Sequence, residues 1–273
     1  MQHEAIDGVV IRVRPTGDHD VLLTILTAEL GRITVLAKGS KSLKSDQRAI
    51  SQLFTHANFE IYRRGGLYIL KGGSPLHPFY GISSDVVRFS LASYLCDVTY
   101  ELTDEGEPSD EIPRLLLNAL YAISRERYPQ EIVKGAFELR AAFLSGYAPD
   151  LSGCADCKTD EKLELYLDVM NGALLCSSCL RARAATPKKV GTYDDIREAE
   201  VLIPITKSVL EALRYAARAP IERAFSFGLN DPNELAAFAG CAERYLLSHL
   251  GHGFETLDFY RSMRENDTKG TKL

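Results

Sequence analysis

The sequence contains no segment long enough to serve as a membrane span. Such a span needs roughly 20 uninterrupted apolar residues, and no run of that kind occurs among the 273 residues. The first residues, Met1-Gln2-His3-Glu4, are polar and acidic, which is not the pattern of a secretory signal. We therefore expect a cytoplasmic protein with no membrane partner.

The chain also lacks the short motifs of several common enzyme classes. It has no G-x-x-x-x-G-K-[S/T] phosphate loop, no H-E-x-x-H helix and no G-x-S-x-G elbow. Its six histidines are scattered and form no recognisable catalytic group. These absences favour a binding or scaffolding protein over an enzyme, so we expect no catalytic residues.

An excess of positive charge is missing as well, because 32 basic and 37 acidic residues give a net charge of −5. Taken as an average, this disfavours a nucleic-acid-binding protein. The average conceals a difference, however. Residues 1–80 carry ten basic and seven acidic side chains, a net +3, whereas the other 193 residues carry 22 and 30, a net −8. We expect a basic N-terminal part suited to phosphates and an acidic remainder suited to protein partners.

Residues 1–80 have the pattern of short strands separated by turns. Gly65-Gly66 predicts a tight turn between the last two strands, because glycine adopts positive φ without steric penalty. Five strands with one longer polar insertion favour a small closed barrel; an OB-fold is the leading prediction and an SH3-like barrel the alternative. The predicted strands cover 5–13, 20–27, 32–38, 58–64 and 67–71.

The remainder has mostly helical periodicity. Serines at 83, 84 and 109 are the predicted N-caps of the first two helices, while Asp231 and Gly251 bound the last helix. The predicted helices cover 84–102, 109–127, 129–145, 205–218 and 232–250.

These patterns predict an α+β protein: an N-terminal OB-fold β-barrel followed by an α-helical domain with an inserted four-cysteine zinc module. The barrel would occupy 1–80 and the helical domain 81–253, including the zinc module at 151–183. Residues 254–273 show no clear apolar face and are predicted to form a C-terminal tail, frayed at its end.

Four of the six cysteines form two C-x-x-C pairs separated by 18 residues, with the turn dipeptide Asn171-Gly172 between them. In a reducing cytosol this pattern indicates a metal site rather than disulfides. Four thiolates satisfy tetrahedral Zn²⁺ and leave no position for water, so the ion would be structural. A pair of redox motifs is the weaker alternative, because neither lies between a strand and a long helix. The predicted ligands are Cys154, Cys157, Cys176 and Cys179.

A basic loop follows the third predicted strand. The segment 32–48 holds five basic residues and one acid, and its Gly39-Ser40-Lys41-Ser42 stretch leaves the backbone accessible to a phosphate. An ordinary solvated loop is the alternative. The predicted phosphate contacts are Arg32, Lys38, Lys41, Lys44 and Arg48, with Arg12 and Arg14 from the first strand.

The order of these features resembles the RecO family of bacterial DNA repair and recombination mediators. Phe137-Glu138-Leu139-Arg140, followed by residues 146–151, is similar to the family's helix leading into its zinc module. Residues 171–179 are similar to the return segment with the second cysteine pair. Residues 31–39 are similar to the family's third strand and basic loop.

The resemblance implies binding of single- and double-stranded DNA and annealing of complementary strands. It also implies that the protein acts with RecR to load RecA onto DNA coated by the single-strand binding protein SSB, which fits a nucleoid-associated location. The acidic, apolar SSB tail would need a groove flanked by cations. Candidates are Lys134, Arg140, Lys207 and Arg214, although ordinary helix-face charges are an equal alternative.

Two other functions stay open at this point. One is a zinc-containing protein-interaction scaffold that does not bind DNA directly. The other is a barrel that binds RNA. The zinc module could itself contact nucleic acid through its basic residues, which are Lys158, Lys162, Arg181 and Arg183.

Overall fold

The structure is a computed structural model that describes residues 3–77, 79–160, 164–185 and 201–270, with side chains to residue 266. The chain divides into two compact units. The first unit joins Met1–Arg127 with Phe254–Leu273, and the second is Tyr128–Gly253. Among the described residues, every helix is too short or too polar to cross a bilayer.

The first unit begins with a closed five-stranded barrel in the order β1-β2-β3-β5-β4, with β1 paired to β4. Neighbouring strands are antiparallel except β3 and β5, which are parallel. This arrangement confirms the OB-like barrel, and the turn at Gly65-Gly66 has the expected positive φ at both glycines. The strands are β1 (His3–Thr16), β2 (Asp20–Thr27), β3 (Gly31–Ala37), β4 (His56–Arg64) and β5 (Leu67–His77).

The interior of the barrel follows the alternation of the sequence. Every second residue of β2 and β3 points inward, so that one apolar side fills the barrel and the other faces outward. Ile50, from the long connection between β3 and β4, is buried in the same interior. This connection, residues 38–55, consists of turns rather than a helix.

Among its described residues, the first unit also contains four helices. Asp85 is the N-cap of α2, because its carboxylate accepts a hydrogen bond from the Arg88 N–H at 2.8 Å. The predicted serine caps are wrong: the Ser84 hydroxyl donates to the Gly81 carbonyl, and Asp110 stands before α3. The helices are α1 (Tyr80–Ser83), α2 (Val86–Glu101), α3 (Glu111–Ser124) and α8 (Glu255–Gly270).

Helix α8 (Glu255–Gly270) occupies most of the segment 254–273, for which we predict a C-terminal tail frayed at its end. Leu257 and Tyr260 are buried, and Phe254 just before the helix packs edge-on against Tyr94 of α2. Thr256 also donates to the Asp97 carboxylate of α2 at 2.9 Å. The other residues of this segment are mostly polar, so its few buried apolar side chains do not stand out in the sequence.

The second unit contains helices packed around α4 and a small sheet of order β6-β8-β7-β9. The predicted boundaries of its longest helix are confirmed: the Asp231 carboxylate accepts from the Asn233 N–H, and Gly251 has a φ of 75°. The helices are α4 (Gln130–Leu144), α5 (Ser177–Ala185), α6 (Lys207–Arg218) and α7 (Pro232–Leu250). The strands are β6 (Asp150–Cys154), β7 (Leu165–Asp168), β8 (Ala173–Cys176) and β9 (Leu202–Ile205).

Candidate metal centre and nucleic-acid interface

The four paired cysteines meet at one end of the small sheet. Cys154 ends β6 and Cys157 lies in the turn that follows it, while Cys176 ends β8 and Cys179 lies in the first turn of α5. The strands β6 and β8 are parallel neighbours, so their ends lie side by side. The fold therefore brings both C-x-x-C pairs to the same place.

The spacing of the sulfur atoms fits a tetrahedral ion. All four Sγ atoms lie within 4.8 Å of one another, and those of Cys157 and Cys176 are 3.8 Å apart. Sulfurs about 2.3 Å from a central Zn²⁺ would be about 3.8 Å apart at the corners of a tetrahedron. The cluster is compatible with a metal site whose four ligands all come from protein.

Hydrogen bonds to two of the sulfurs favour the thiolate, which is the form that binds metals. Burial acts to raise the pKa of Cys154, but backbone N–H groups, including that of Cys176 at 3.3 Å, lower it to about 6. The Cys179 backbone N–H lowers the pKa of Cys176. The neighbouring Cys176 sulfur raises the pKa of Cys179 to about 12. A divalent cation among them would deprotonate all four.

The hairpin between the two cysteine pairs is the one predicted from Asn171-Gly172. Strands β7 and β8 are antiparallel, and Gly172 has a φ of 59° at the turn. Asp168 fixes this turn, since its carboxylate accepts from the Asn171 side chain at 2.7 Å and from the Asn171 N–H at 3.2 Å. The short hairpin thus sets the position of Cys176 relative to the first pair.

Arg214 of α6 attaches the first cysteine turn to the helices of the same unit. Its guanidinium donates to the carbonyls of Leu151 and Ser152 at 2.8 and 2.9 Å and to the Asp160 carboxylate at 3.2 Å. The sequence made Arg214 a candidate for a partner groove, with an ordinary helix-face charge as the equal alternative, and this role was missed. No sequence signal distinguishes it from an ordinary helix-face arginine, because its acceptors on the cysteine turn are more than fifty residues away.

The basic residues of the module differ in their availability. Lys158 and Arg181 are exposed. Arg183 forms a two-pronged ion pair with Asp156, at 2.8 and 2.6 Å, which links α5 to the turn between Cys154 and Cys157. Lys162 lies outside the described residues.

The basic loop between β3 and β4 is built from consecutive tight turns. Backbone hydrogen bonds run from the Ser42 N–H to the Gly39 carbonyl, from Ser45 to Ser42 and from Arg48 to Ser45, each at 3.1 Å. Gly39 has a φ of 65°, which glycine adopts without strain and which starts this series. The loop therefore has a defined backbone despite its polar sequence.

Both ends of the loop are attached to the barrel. At the start, the Gly39 N–H donates to the Asp20 carboxylate at 2.7 Å, and the Lys41 N–H donates to the His19 carbonyl at 3.1 Å. Further along, the Gln47 side chain donates to the carbonyls of Leu70 and Lys71 on β5, at 3.3 and 3.0 Å. The loop lies between the β1–β2 turn and β5.

Five of the seven predicted DNA-binding residues are exposed near this loop. Arg14 is on β1, at the position paired with Leu22 of β2, and so lies beside the β1–β2 turn. The Lys41 ammonium also donates to the Gly17 carbonyl of that turn at 2.9 Å, which ties the loop and the turn together. The exposed set is Arg14, Lys38, Lys41, Lys44 and Arg48.

Arg12 and Arg32 are placed differently from the other five. Their guanidinium carbons lie 3.4 and 3.7 Å from the centre of the Tyr100 ring of α2. Arg12 also forms an ion pair with Asp97 at 2.9 Å, and Arg32 donates to the Tyr100 carbonyl. Because these cations hold α2 against the barrel, we remove them from the set of phosphate contacts. No short-range sequence signal predicts a partner 68 or more residues away.

Three of the four candidate cations for an SSB tail are engaged inside the second unit. Lys134 is buried between Glu138 and Glu243, at 2.7 and 2.6 Å. Arg140 is buried and donates to a carbonyl at the end of α6, and Arg214 holds the cysteine turn. Lys207 is exposed at the start of α6.

Comparison with known families covers most of the chain. The model of the Recombination protein O N-terminal region matches residues 1–79, and that of the Recombination protein O C-terminal region matches residues 83–258. The chain belongs to the RecO family. The resemblance noted from the sequence is therefore confirmed.

Individual RecO proteins are similar over long stretches. The DNA repair protein RecO of Acetivibrio thermocellus is 27% identical over 264 residues, which cover 96% of this chain and 98% of the relative. The DNA repair protein RecO of Pelotomaculum thermopropionicum is 32% identical over 193 residues, or 70% of this chain and 74% of the relative.

Proposed function

We propose that this protein is a DNA repair and recombination mediator that binds single- and double-stranded DNA and anneals complementary strands. One observation carries the proposal: a turn-built loop on an OB-like barrel presents the exposed cations Lys38, Lys41, Lys44 and Arg48, with Arg14 beside it. Cations grouped on such a barrel are suited to a nucleic-acid backbone. The names of the relatives, which describe DNA repair proteins, support the same proposal.

Annealing by this surface needs no catalytic residue. Two DNA strands repel each other because both carry a phosphate at every nucleotide. A basic surface that binds both strands lowers this repulsion and raises their local concentration. We therefore propose a non-enzymatic activity that depends on charge and geometry alone.

The wider role follows from family membership. We propose that the protein acts with RecR to help load RecA onto SSB-coated DNA in the cytoplasm, in association with the nucleoid. The barrel, residues 1–80, would bind DNA, and the acidic helical domain, residues 81–253, would receive proteins. Of the cations first considered for the SSB tail, we retain Lys207, because it is exposed.

We further propose that the four cysteines bind one structural Zn²⁺. The ion would fix the turn of each C-x-x-C pair, which a module of this size cannot do with an apolar interior alone. It would supply no chemistry to DNA, because four thiolates leave no open coordination position. Residues 254–273 receive no role in this proposal.

The loop is tested by replacing Lys38, Lys41 and Lys44 together with alanine. DNA affinity should fall, and the dependence of affinity on salt should become weaker. For single-stranded DNA, the slope of log affinity against log salt should decrease by about 0.7 for each phosphate that the variant no longer neutralises. Titration of a labelled oligonucleotide at several salt concentrations measures both quantities, and a strand-annealing assay should slow in parallel.

A second triple variant provides the control. Arg218, Arg223 and Arg244 are exposed cations of the second unit, and their replacement changes the net charge by the same amount. This variant should keep the salt slope of the parent, as should Arg12→Ala. If the loop variant binds and anneals like the parent, the loop is not the DNA site. If the parent itself binds no DNA, the proposed function is wrong.

A further inference from the structure

Leu43 is the most exposed large apolar side chain in the described part of the chain, with 83% of its surface accessible. It occupies a corner of the basic loop, inside the tight turn closed by the hydrogen bond from the Ser45 N–H to the Ser42 carbonyl at 3.1 Å. Lys44 follows it directly and Lys41 lies two residues before it, and both are exposed.

The side chain is held in this position rather than carried on a free end. The turns before and after it share the same series of backbone hydrogen bonds, and the Ser42 hydroxyl accepts from the Lys44 N–H at 3.4 Å. Asp20 on one side and Gln47 on the other attach the loop to the barrel. The entropic cost of ordering this apolar tip is therefore met before any ligand binds.

A single exposed leucine is ordinary on a protein surface and needs no explanation by itself. What distinguishes Leu43 is its combination with neighbouring cations on a fixed loop. We propose that Leu43 is a wedge that inserts between adjacent bases of a DNA strand whose phosphates are bound by Lys41 and Lys44. This inference rests on the proposed function and adds a base contact to its phosphate contacts.

The surroundings of Leu43 favour DNA over a protein partner. A protein interface needs several apolar residues around its central anchor to exclude water. The residues on either side of Leu43 are serines and lysines, so there is no apolar rim from the loop itself. A base step needs only one apolar side chain to be unstacked, and leucine is among the residues that act in this way. Lys41 and Lys44, which flank Leu43 in the loop, are suited to the phosphates on either side of such a base step.

The test uses an adenine oligonucleotide of about 12 nucleotides, within the ~4–16 that one OB-fold covers, with 2-aminopurine at its centre. Stacking between bases quenches 2-aminopurine, so insertion of Leu43 should raise its fluorescence when the parent protein binds. Leu43→Ala should lose most of this rise, while Leu43→Phe, which keeps an apolar wedge, should retain it. Affinity for Leu43→Ala should fall by about three- to tenfold with an unchanged salt slope, because every phosphate contact is kept.

Leu76→Ala is the matched control, because Leu76 is an exposed leucine on β5 of the same barrel. It should bind and fluoresce like the parent. The wedge is excluded if Leu43→Ala gives the full fluorescence rise, or if the parent binds DNA without any rise. The second outcome leaves the phosphate contacts intact, whereas failure of the proposed function would appear as no DNA binding by the parent at all. If Leu43→Ala keeps the DNA affinity and the fluorescence rise of the parent but no longer binds a protein that the parent binds, the wedge is wrong and the loop tip is a protein contact.

Discussion

The cysteine cluster and the basic loop are both irregular segments attached to a small β structure, but their positions are fixed by different means. In the cluster, four sulfur atoms within 4.8 Å of one another converge on one point. In the loop, many separate hydrogen bonds attach the backbone at Asp20, Gln47 and three successive turns. The cluster should therefore respond to a single change in an all-or-none manner, and the loop gradually.

The magnitudes agree with this distinction. A structural zinc ion contributes on the order of 10–16 kcal/mol to the folding of small zinc-finger peptides near pH 7. A single hydrogen bond contributes about 0.5–1.5 kcal/mol to stability. The same difference predicts the size of the damage at each region. Removal of one ligand should disrupt the whole module, while removal of one hydrogen bond in the loop should cost only about 1 kcal/mol of stability and weaken binding of the loop's ligand.

The largest effect is expected from Cys176→Ser. The buried sulfur is a proposed zinc ligand and lies beside Cys157 at 3.8 Å, so its loss should abolish metal binding and destabilise the module by about 4 kcal/mol or more. Elemental analysis would measure the metal, and hydrogen exchange of β7 and β8 would measure the module. The salt slope of DNA binding should not change, because the proposed DNA contacts are on the basic loop of the first unit.

Cys241→Ala is the control for this variant, because Cys241 is a buried cysteine outside the cluster. It should retain the full metal content and show only a packing defect. Full metal content in Cys176→Ser would contradict the assignment of that ligand. A reduced salt slope in Cys176→Ser would mean that the module also touches DNA, and the two regions would then share one function.

The fold and the cluster were the parts that the sequence could predict. The two C-x-x-C pairs and the turn at Asn171-Gly172 carry their chemistry locally, since tetrahedral sulfur coordination permits few alternatives. The period of two in β2 and β3 likewise identifies the inward side of the barrel. Both kinds of signal lie within a short stretch of chain.

The long-range partners of cations could not be predicted in this way. In the sequence, nothing distinguishes three arginines from ordinary surface residues: Arg12, Arg32 and Arg214. In the structure, each of them contacts groups more than fifty residues away. Helix α8 was missed for a different reason, since its buried residues Leu257 and Tyr260 lie in a segment whose other side chains are mostly polar. A basic residue in a sequence identifies a charge, and only its position in the fold decides whether that charge meets a phosphate.

A smaller effect is expected from Arg214→Ala, which separates the attachment of the module from its metal. The variant removes charge-assisted hydrogen bonds to the Leu151 and Ser152 carbonyls, so the free energy of unfolding should fall by about 2 kcal/mol. Metal content should stay the same as in the parent. Chemical denaturation and elemental analysis measure the two quantities.

Arg218→Ala is the control, because Arg218 is on the same helix and exposed. This variant should change the free energy of unfolding by less than about 0.5 kcal/mol. Loss of metal in Arg214→Ala would mean that attachment and coordination are not separable.

The smallest effect is expected from Gln47→Ala, which weakens the attachment of the basic loop. Gln47 donates to two carbonyls of β5 at 3.3 and 3.0 Å, and the loss of both should cost about 1 kcal/mol of stability. DNA affinity should fall several-fold because the loop must then be ordered on binding. The salt slope should not change, since every cation is still present.

Gln52→Ala is the control, because the Gln52 side chain donates to the Arg48 carbonyl within the same connection and not to a strand of the barrel. If Gln47→Ala abolished binding altogether, the loop would depend on one contact as the cluster depends on its metal, and the distinction between the two regions would fail.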